Sequence, residues 1–71
     1  MNTMIYLGYY DKLENYKYIR IIAQGTKADR DDLKLVAERL NDEKFIRKYK
    51  VIEATNKTEA LNQLRRIARE D

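Results

Sequence analysis

The chain has 71 residues, contains no cysteine, histidine or proline, and carries a net charge of +3 from 15 Lys and Arg against 12 Asp and Glu. This length accommodates one domain, spanning 1–71, with a single core layer, and the composition excludes disulfides and Cys/His zinc sites. No apolar run approaches the roughly 18 residues of a membrane span, so we expect a cytoplasmic protein without membrane contact.

The first predicted element is a strand over residues 4–10, followed by a polar loop over residues 11–15. Strand side chains alternate between the two faces of a sheet. This alternation assigns the odd-numbered residues of the strand to the core and the even-numbered ones, including Tyr6 and Tyr10, to the opposite face. We expect the strand to form a hairpin with the strand that follows the loop.

The second strand, predicted over residues 16–24, is the clearest strand in the chain because it is rich in β-branched and aromatic residues. Alternation assigns Ile19, Ile21 and Ala23 to the core. The opposite face then carries aromatic, basic and apolar side chains, namely Tyr16, Tyr18, Arg20 and Ile22. This face is too apolar for ordinary surface and too cationic for a second core.

A helix is predicted after Gly25, because Thr26 and Asp29 have the spacing of a capping box. Apolar residues follow at the helical spacing i, i+3, i+4, i+7, which predicts a stripe that lies on the sheet. The stripe consists of Leu33, Val36, Ala37 and Leu40. The helix is expected to end at residues 41–42 or to continue as far as residue 44 or 45.

The third strand is predicted over residues 48–54, with Tyr49 and Val51 facing inward because the opposite choice would bury two lysines. Asn56 and Glu59 form a second possible capping box. They open a helix that runs to about residue 70. Its predicted inner stripe consists of Ala60, Leu61, Leu64, Ile67 and Ala68.

The element order is therefore ββαβα, and the predicted fold class is α+β. Two amphipathic helices each require a sheet face, and we expect a three-stranded mixed sheet with both helices on one face and the other face bare. A strand order of 2-1-3 is favoured over 1-2-3. The local consistency of the pattern also leaves open an engineered scaffold without a function.

The bare face is the main functional prediction, because it combines tyrosines with lysines and an arginine. Such a surface suits a protein interface, in which Tyr and Arg are enriched, and equally the stacking of bases beside phosphate contacts. A third interpretation is a half-covered sheet whose tyrosines only shield the backbone. The candidate binding face comprises Tyr6, Tyr10, Tyr16, Tyr18, Arg20, Ile22, Lys48, Lys50 and Ile52.

A secondary basic ridge is predicted on the last helix, although cations near a helix C-terminus are also favoured by the helix dipole. The ridge consists of Lys57, Arg65, Arg66 and Arg69. Three acids cluster at Asp29, Asp31 and Asp32, but they lack the glycine and the distal glutamate of a calcium loop. Helix capping accounts for them, and we expect no metal and no cofactor.

We expect a non-enzymatic binding module, because a chain without His or Cys lacks the side chains that most readily act as base or nucleophile near pH 7. The expected partner is a protein, or a second copy in a homodimer, and a small regulator or inhibitor of the kind that mobile elements encode fits the size. The alternative is a sequence-tolerant protein that binds single-stranded nucleic acid through the same face.

Overall fold

The computed structural model describes residues 2–12, 18–42 and 46–70. Within these residues the order ββαβα and the α+β class are confirmed. The elements are β1 (Met4–Asp11), β2 (Ile19–Gly25), a short 3-10 turn (Lys27–Asp29), α1 (Arg30–Asp42), β3 (Arg47–Ala54) and α2 (Lys57–Glu70). The predicted start of the second strand at Tyr16 and the predicted continuation of α1 to Lys44 or Phe45 lie outside the described residues.

The three described strands form one sheet in the order β2-β1-β3, which confirms the predicted strand order. β1 is antiparallel to both of its neighbours. The prediction of a mixed sheet is therefore wrong. β2 and β3 do run in the same direction, as the connection through α1 requires, but β1 lies between them and no parallel pair is adjacent.

The register between β1 and β2 contains a bulge, and it decides which side chains share a face. Tyr9 lies opposite Arg20 on β2 and opposite Tyr49 on β3. Gly8 lies opposite Ile21, whereas the next pair joins Leu7 to Ala23, so that one residue of β2, Ile22, has no counterpart on β1. Even-numbered residues of β1 therefore share a face with odd-numbered residues at the start of β2.

The two helices pack on opposite faces of the sheet, which overturns the prediction that both cover one face. One cluster joins α2 to even-numbered sheet residues, and we call it the α2 cluster: Tyr6, Tyr10, Ile52, Ala54, Ala60, Leu64 and Ala68. The other joins α1 to odd-numbered sheet residues, and we call it the α1 cluster: Leu7, Tyr9, Ala37 and Tyr49, with Ala23, Leu33, Leu40 and Val51 beside them. The core has two layers, not one.

Central strand β1 explains this arrangement. Every residue of β1 after Met4 is buried. From Met4 to Tyr10 the strand has no charged residue, so both of its faces gain free energy from burial. Period-two reasoning assigned one face of this apolar run to solvent, whereas a short continuous apolar run is typical of a strand buried on both sides.

Both predicted helix starts are present. Asp29 Oδ2 accepts a hydrogen bond from the Thr26 backbone N–H at 2.8 Å. Asn56 Oδ1 accepts one from the Glu59 N–H at 2.8 Å, while the Glu59 carboxylate accepts a hydrogen bond from the Thr55 hydroxyl. These contacts satisfy backbone donors that the first turn of a helix leaves unpaired. No helix in the described part of the chain is long and apolar enough to cross a membrane.

Polar contacts fix the direction of α1 over the sheet. Arg30, at the start of α1, forms an ion pair with Glu53. Asn41, near its end, donates to the Tyr49 carbonyl at 3.1 Å and accepts from the Tyr49 N–H at 2.9 Å. α1 therefore runs from the end of the sheet that carries Gly25 and Glu53 to the end that carries Arg47. We call these the Gly25 end and the Arg47 end.

Candidate functional site

The predicted binding face is not one exposed surface. Tyr6, Tyr10 and Ile52 are buried in the α2 cluster, and Tyr10 has no exposed surface at all. These three side chains hold α2 on the sheet and are not available to a partner. The prediction failed because it assumed that no helix covers this face of the sheet, whereas α2 packs on it.

The remaining predicted residues lie on two different faces. Lys48 lies opposite Tyr10 and Lys50 opposite Gly8, which places both lysines on the α2 face of edge strand β3. Lys48 is exposed and Lys50 is half-buried. Tyr16 lies outside the described residues. The lysines and the exposed residues of β2 therefore do not form the continuous basic and aromatic surface that was predicted.

A smaller exposed surface lies along β2, on the side of the sheet that α1 covers. The Asp11 N–H donates to the Tyr18 carbonyl at 3.2 Å, and Arg20 lies opposite Tyr9, so Tyr18, just before β2, and Arg20, within it, both lie on the α1 face. Tyr18 is 56% exposed and Ile22 48% exposed, and Arg20 is also exposed. These three members of the predicted face are accessible on the α1 face, whereas Lys48 is accessible on the α2 face.

Val36 of α1 adds to this surface. An α-helix turns by about 100° per residue, so Arg30 and Asn41, which contact β3, lie on one flank of the Leu33 and Leu40 stripe, while Val36 lies on the other. That flank faces β2, and Val36 is 44% exposed. The prediction that Val36 lies against the sheet is therefore only partly met, because α1 packs mainly on β3. We call Tyr18, Arg20, Ile22 and Val36 the β2 strip.

The Arg47 end of the α1 face carries a fixed guanidinium group. The Arg47 Cζ lies 4.6 Å from the centre of the Tyr9 ring, and the Tyr9 and Tyr49 rings are 5.4 Å apart. A hydrogen bond to Tyr49 raises the pKa of Arg47, and the nearby Tyr9 and Asp11 act in the same direction. Arg47 is exposed. Its neighbours hold it in place, so it presents a preorganised positive charge at this end of the sheet.

Charge is distributed unevenly along the β2 strip. Arg20 and Arg47 lie toward the Arg47 end, and Arg39 lies on the same flank of α1 as Val36, one turn further toward that end. The first turn of α1, at the Gly25 end, carries Asp32 on this flank. The strip is therefore basic at one end, apolar in the middle and acidic at the other.

Both edges of the described sheet are protected against the addition of another strand. On β3, the Tyr49 backbone N–H and C=O are occupied by Asn41, and the Glu53 carbonyl accepts a hydrogen bond from Gln63 Nε2 at 3.1 Å. On β2, the bulge at Ile22 interrupts the regular edge. Bulges and occupied backbone groups both hinder edge-to-edge pairing. A partner would therefore contact the strip through side chains more than through backbone.

The secondary basic ridge lies on α2, in the layer opposite the β2 strip. Lys57, Arg65, Arg66 and Arg69 are all exposed, as predicted. Arg65 donates to Asn62 Oδ1 at 3.2 Å, which is a contact within the helix.

An open groove of about 460 Å³ runs along α2, lined by Glu59, Asn62, Gln63, Arg66 and Ile67. Among the described residues, no group of three or more acidic side chains is arranged to hold a metal ion.

Sequence reasoning missed the position of α1 relative to the strands. The apolar stripe of α1 shows which side faces the sheet, but nothing in the sequence shows that the helix lies over β3 and leaves β2 uncovered. The burial of β1 on both faces could have been found, because the strand has no charged residue before Asp11.

Comparison with known proteins identifies no relative: no protein family, no curated protein and no solved structure matches this chain.

Proposed function

We propose that this chain is a non-enzymatic module that binds a protein partner through the β2 strip. The observation that carries the proposal is the exposure of Tyr18, Ile22 and Val36 in a chain whose other described tyrosines are all buried. Large apolar side chains grouped at a surface are typical of interaction sites. A regulator or inhibitor that works by occupying its partner is the role that we favour.

The composition of the strip supports a protein partner. Tyr and Arg are among the residues that contribute most to protein–protein binding, and Tyr18 and Arg20 lie two residues apart at the start of β2. Ile22 and Val36 supply apolar area between the charged ends of the strip. An apolar centre with a polar rim is the usual composition of such interfaces.

The chemistry of the remaining surface favours binding over catalysis. A chain without His or Cys would need a carboxylate, a lysine or a tyrosine to act as base or nucleophile. Among the described residues that line the groove along α2, Glu59 alone has a carboxylate, which accepts hydrogen bonds from Thr55 and Gln63 within the domain. These contacts support a role for Glu59 in holding the start of α2.

The nucleic-acid alternative has less support. Two of the tyrosines that would stack on bases, Tyr6 and Tyr10, lie in the α2 cluster. The exposed cations Arg20 and Lys48 could still contact phosphates, and each such contact contributes about −0.7 to the slope of log affinity against log salt for a single strand. Because Tyr18 alone adds a stacking ring among the described residues, this mode would depend on charge far more than on stacking.

The experiment is capture of partners from an extract of the source cell on the immobilised chain, with and without nuclease. We compare the wild type with Val36→Asp, which places a charge in the strip, and with Leu35→Asp. Leu35 is the matched control, because it neighbours Val36 and is 55% exposed but points away from the sheet. Circular dichroism checks that both variants fold.

The expected result is a protein that survives nuclease treatment, is retained by Leu35→Asp and is lost with Val36→Asp. Capture that disappears on nuclease treatment would transfer support to the nucleic-acid alternative. Equal capture by all three forms would show that the strip is not the binding surface.

A further inference from the structure

We infer that the β2 strip binds a second copy of this chain, with the two strips antiparallel about a two-fold axis that passes between Ile22 and Val36. This inference rests on the proposed function, since it uses the same surface and names its partner. A two-fold interface must be self-complementary, because the same patch is presented by both copies. The β2 strip meets this condition through the order of its charges.

The charges of the strip are complementary when two copies are antiparallel. Arg20 on β2 and Arg47 on β3 both lie toward the Arg47 end, and Asp32 lies at the Gly25 end. A two-fold axis across the middle of the strip brings the basic end of one copy to the acidic end of the other, twice. The apolar side chains then meet in the centre, with Ile22 of each copy against Val36 of the other.

Arg20 and Asp32 are available for such contacts. Both are exposed, and neither side chain has a hydrogen-bond or ion-pair partner among the residues that the structure describes. The other cations near the Gly25 end face elsewhere: Arg30 forms an ion pair with Glu53, and Lys27 Nζ lies 3.8 Å from the same carboxylate. Asp32 therefore determines the sign of charge at that end of the strip.

The contact is formed by side chains and not by a continuous sheet across the two copies. The bulge at Ile22 interrupts the outer edge of β2 close to the axis. The Arg20 side chain of one copy would extend past the edge strand β2 of the other copy and contact Asp32 at the start of that copy's α1. Charged pairs at such a position set orientation and specificity, while the apolar centre supplies most of the affinity.

Sedimentation of the wild type and of charge-exchanged variants tests this arrangement. The wild type should form a dimer at micromolar concentration. Arg20→Glu and Asp32→Arg should each raise the dissociation constant at least about tenfold, because each leaves like charges opposed at both ends of the interface. The double variant Arg20→Glu/Asp32→Arg should return to within about threefold of the wild type, because it exchanges the charges and restores both pairs.

Asp31→Arg and Arg66→Glu are the matched controls. Asp31 neighbours Asp32 in the first turn of α1 but points away from β2, and Arg66 lies on α2. Each control should dimerise as the wild type does. A wild type that stays monomeric at high concentration would overturn the inference, yet strip-dependent capture of a different protein would still support the proposed function. A dimer that the double variant fails to restore would overturn the antiparallel arrangement.

Discussion

Leu64 of α2 packs against the sheet at Gly8. It is completely buried, and a Cβ atom added to Gly8 on the strand below would lie 2.8 Å from Leu64 Cδ2 and 2.7 Å from the Arg20 carbonyl oxygen. No other residue than glycine could occupy position 8 without displacing one of these neighbours. The absence of a side chain at Gly8 therefore allows the leucine to fill the space.

Leu64→Ala should lower the free energy of unfolding by about 2 to 5 kcal/mol, through lost burial and the cavity that remains. Arg66→Ala, two residues along the same helix, should lower it by about 0.5 kcal/mol or less, because Arg66 is exposed. Urea denaturation followed by circular dichroism measures both changes. Equal losses would mean that the inward face of α2 is assigned to the wrong residues.

At the scale of elements, Asn41 joins the end of α1 to the outer edge of β3 through two hydrogen bonds to Tyr49. Asn41→Ala should cost about 1 to 3 kcal/mol of unfolding free energy and raise the tendency to aggregate, because it leaves an N–H and a C=O unpaired on an edge strand. Asn62→Ala on α2 is the control, since the Asn62 side chain accepts a hydrogen bond from the exposed Arg65 side chain and contacts no strand backbone in the described part of the chain. Denaturation and light scattering on the same samples separate the two effects, and an aggregation rate equal to that of the control would contradict the edge-protecting role.

Glu53 connects β3 to the chain before β1 and to α1. A hydrogen bond from Thr3 lowers the pKa of Glu53 from its ordinary value of 4.5, and Lys27 and Arg30 lower it further. A carboxyl whose pKa is depressed on folding contributes stability above its unfolded pKa and loses that contribution as the pH falls through the folded value. The contribution is therefore present at neutral pH and disappears below about pH 4.5.

Glu53→Gln should make the melting temperature less sensitive to pH between neutrality and pH 3 than it is in the wild type. Thr3→Val removes the largest cause of the shift and should have the same effect to a smaller degree. Melting curves recorded across this pH range test both variants. If the wild type and Glu53→Gln lost the same number of degrees on acidification, other carboxyl groups would account for the acid sensitivity.

The sequence predicts the individual strands and helices better than it predicts which faces of the sheet their side chains share. Caps at Thr26 and Asn56, the inward stripe of α2 and the strand order follow from local pattern and from the rules of connection. The faces of the sheet do not, because the bulge at Ile22 exchanges odd and even residues between neighbouring strands. A shift of one residue in register moves every side chain beyond it to the other face. For this reason, the residues of the predicted binding face lie on two different faces of the sheet.

At the scale of the whole molecule, the burial of β1 predicts a gradient of local stability. Amides of residues 6–10 should exchange with solvent more slowly than those of residues 19–21, because β1 is paired on both sides and covered by both helices while β2 is an edge strand. Hydrogen exchange resolved by NMR measures this difference. Equal protection of the two strands would show that the sheet opens only as a unit.

The position of β1 also has a consequence for the rate of folding. β1 precedes every other described element, yet one of its two partners, β3, and most of its cover on one side, α2, come from the far part of the chain. Contacts between residues distant in sequence slow folding, because a long loop must close before they form. Until β3 and α2 are in place, an uncharged, apolar strand stays open to other molecules, and such a segment promotes aggregation. The apolar strand that is buried on both faces in the folded domain is thus a segment that promotes aggregation while the domain folds.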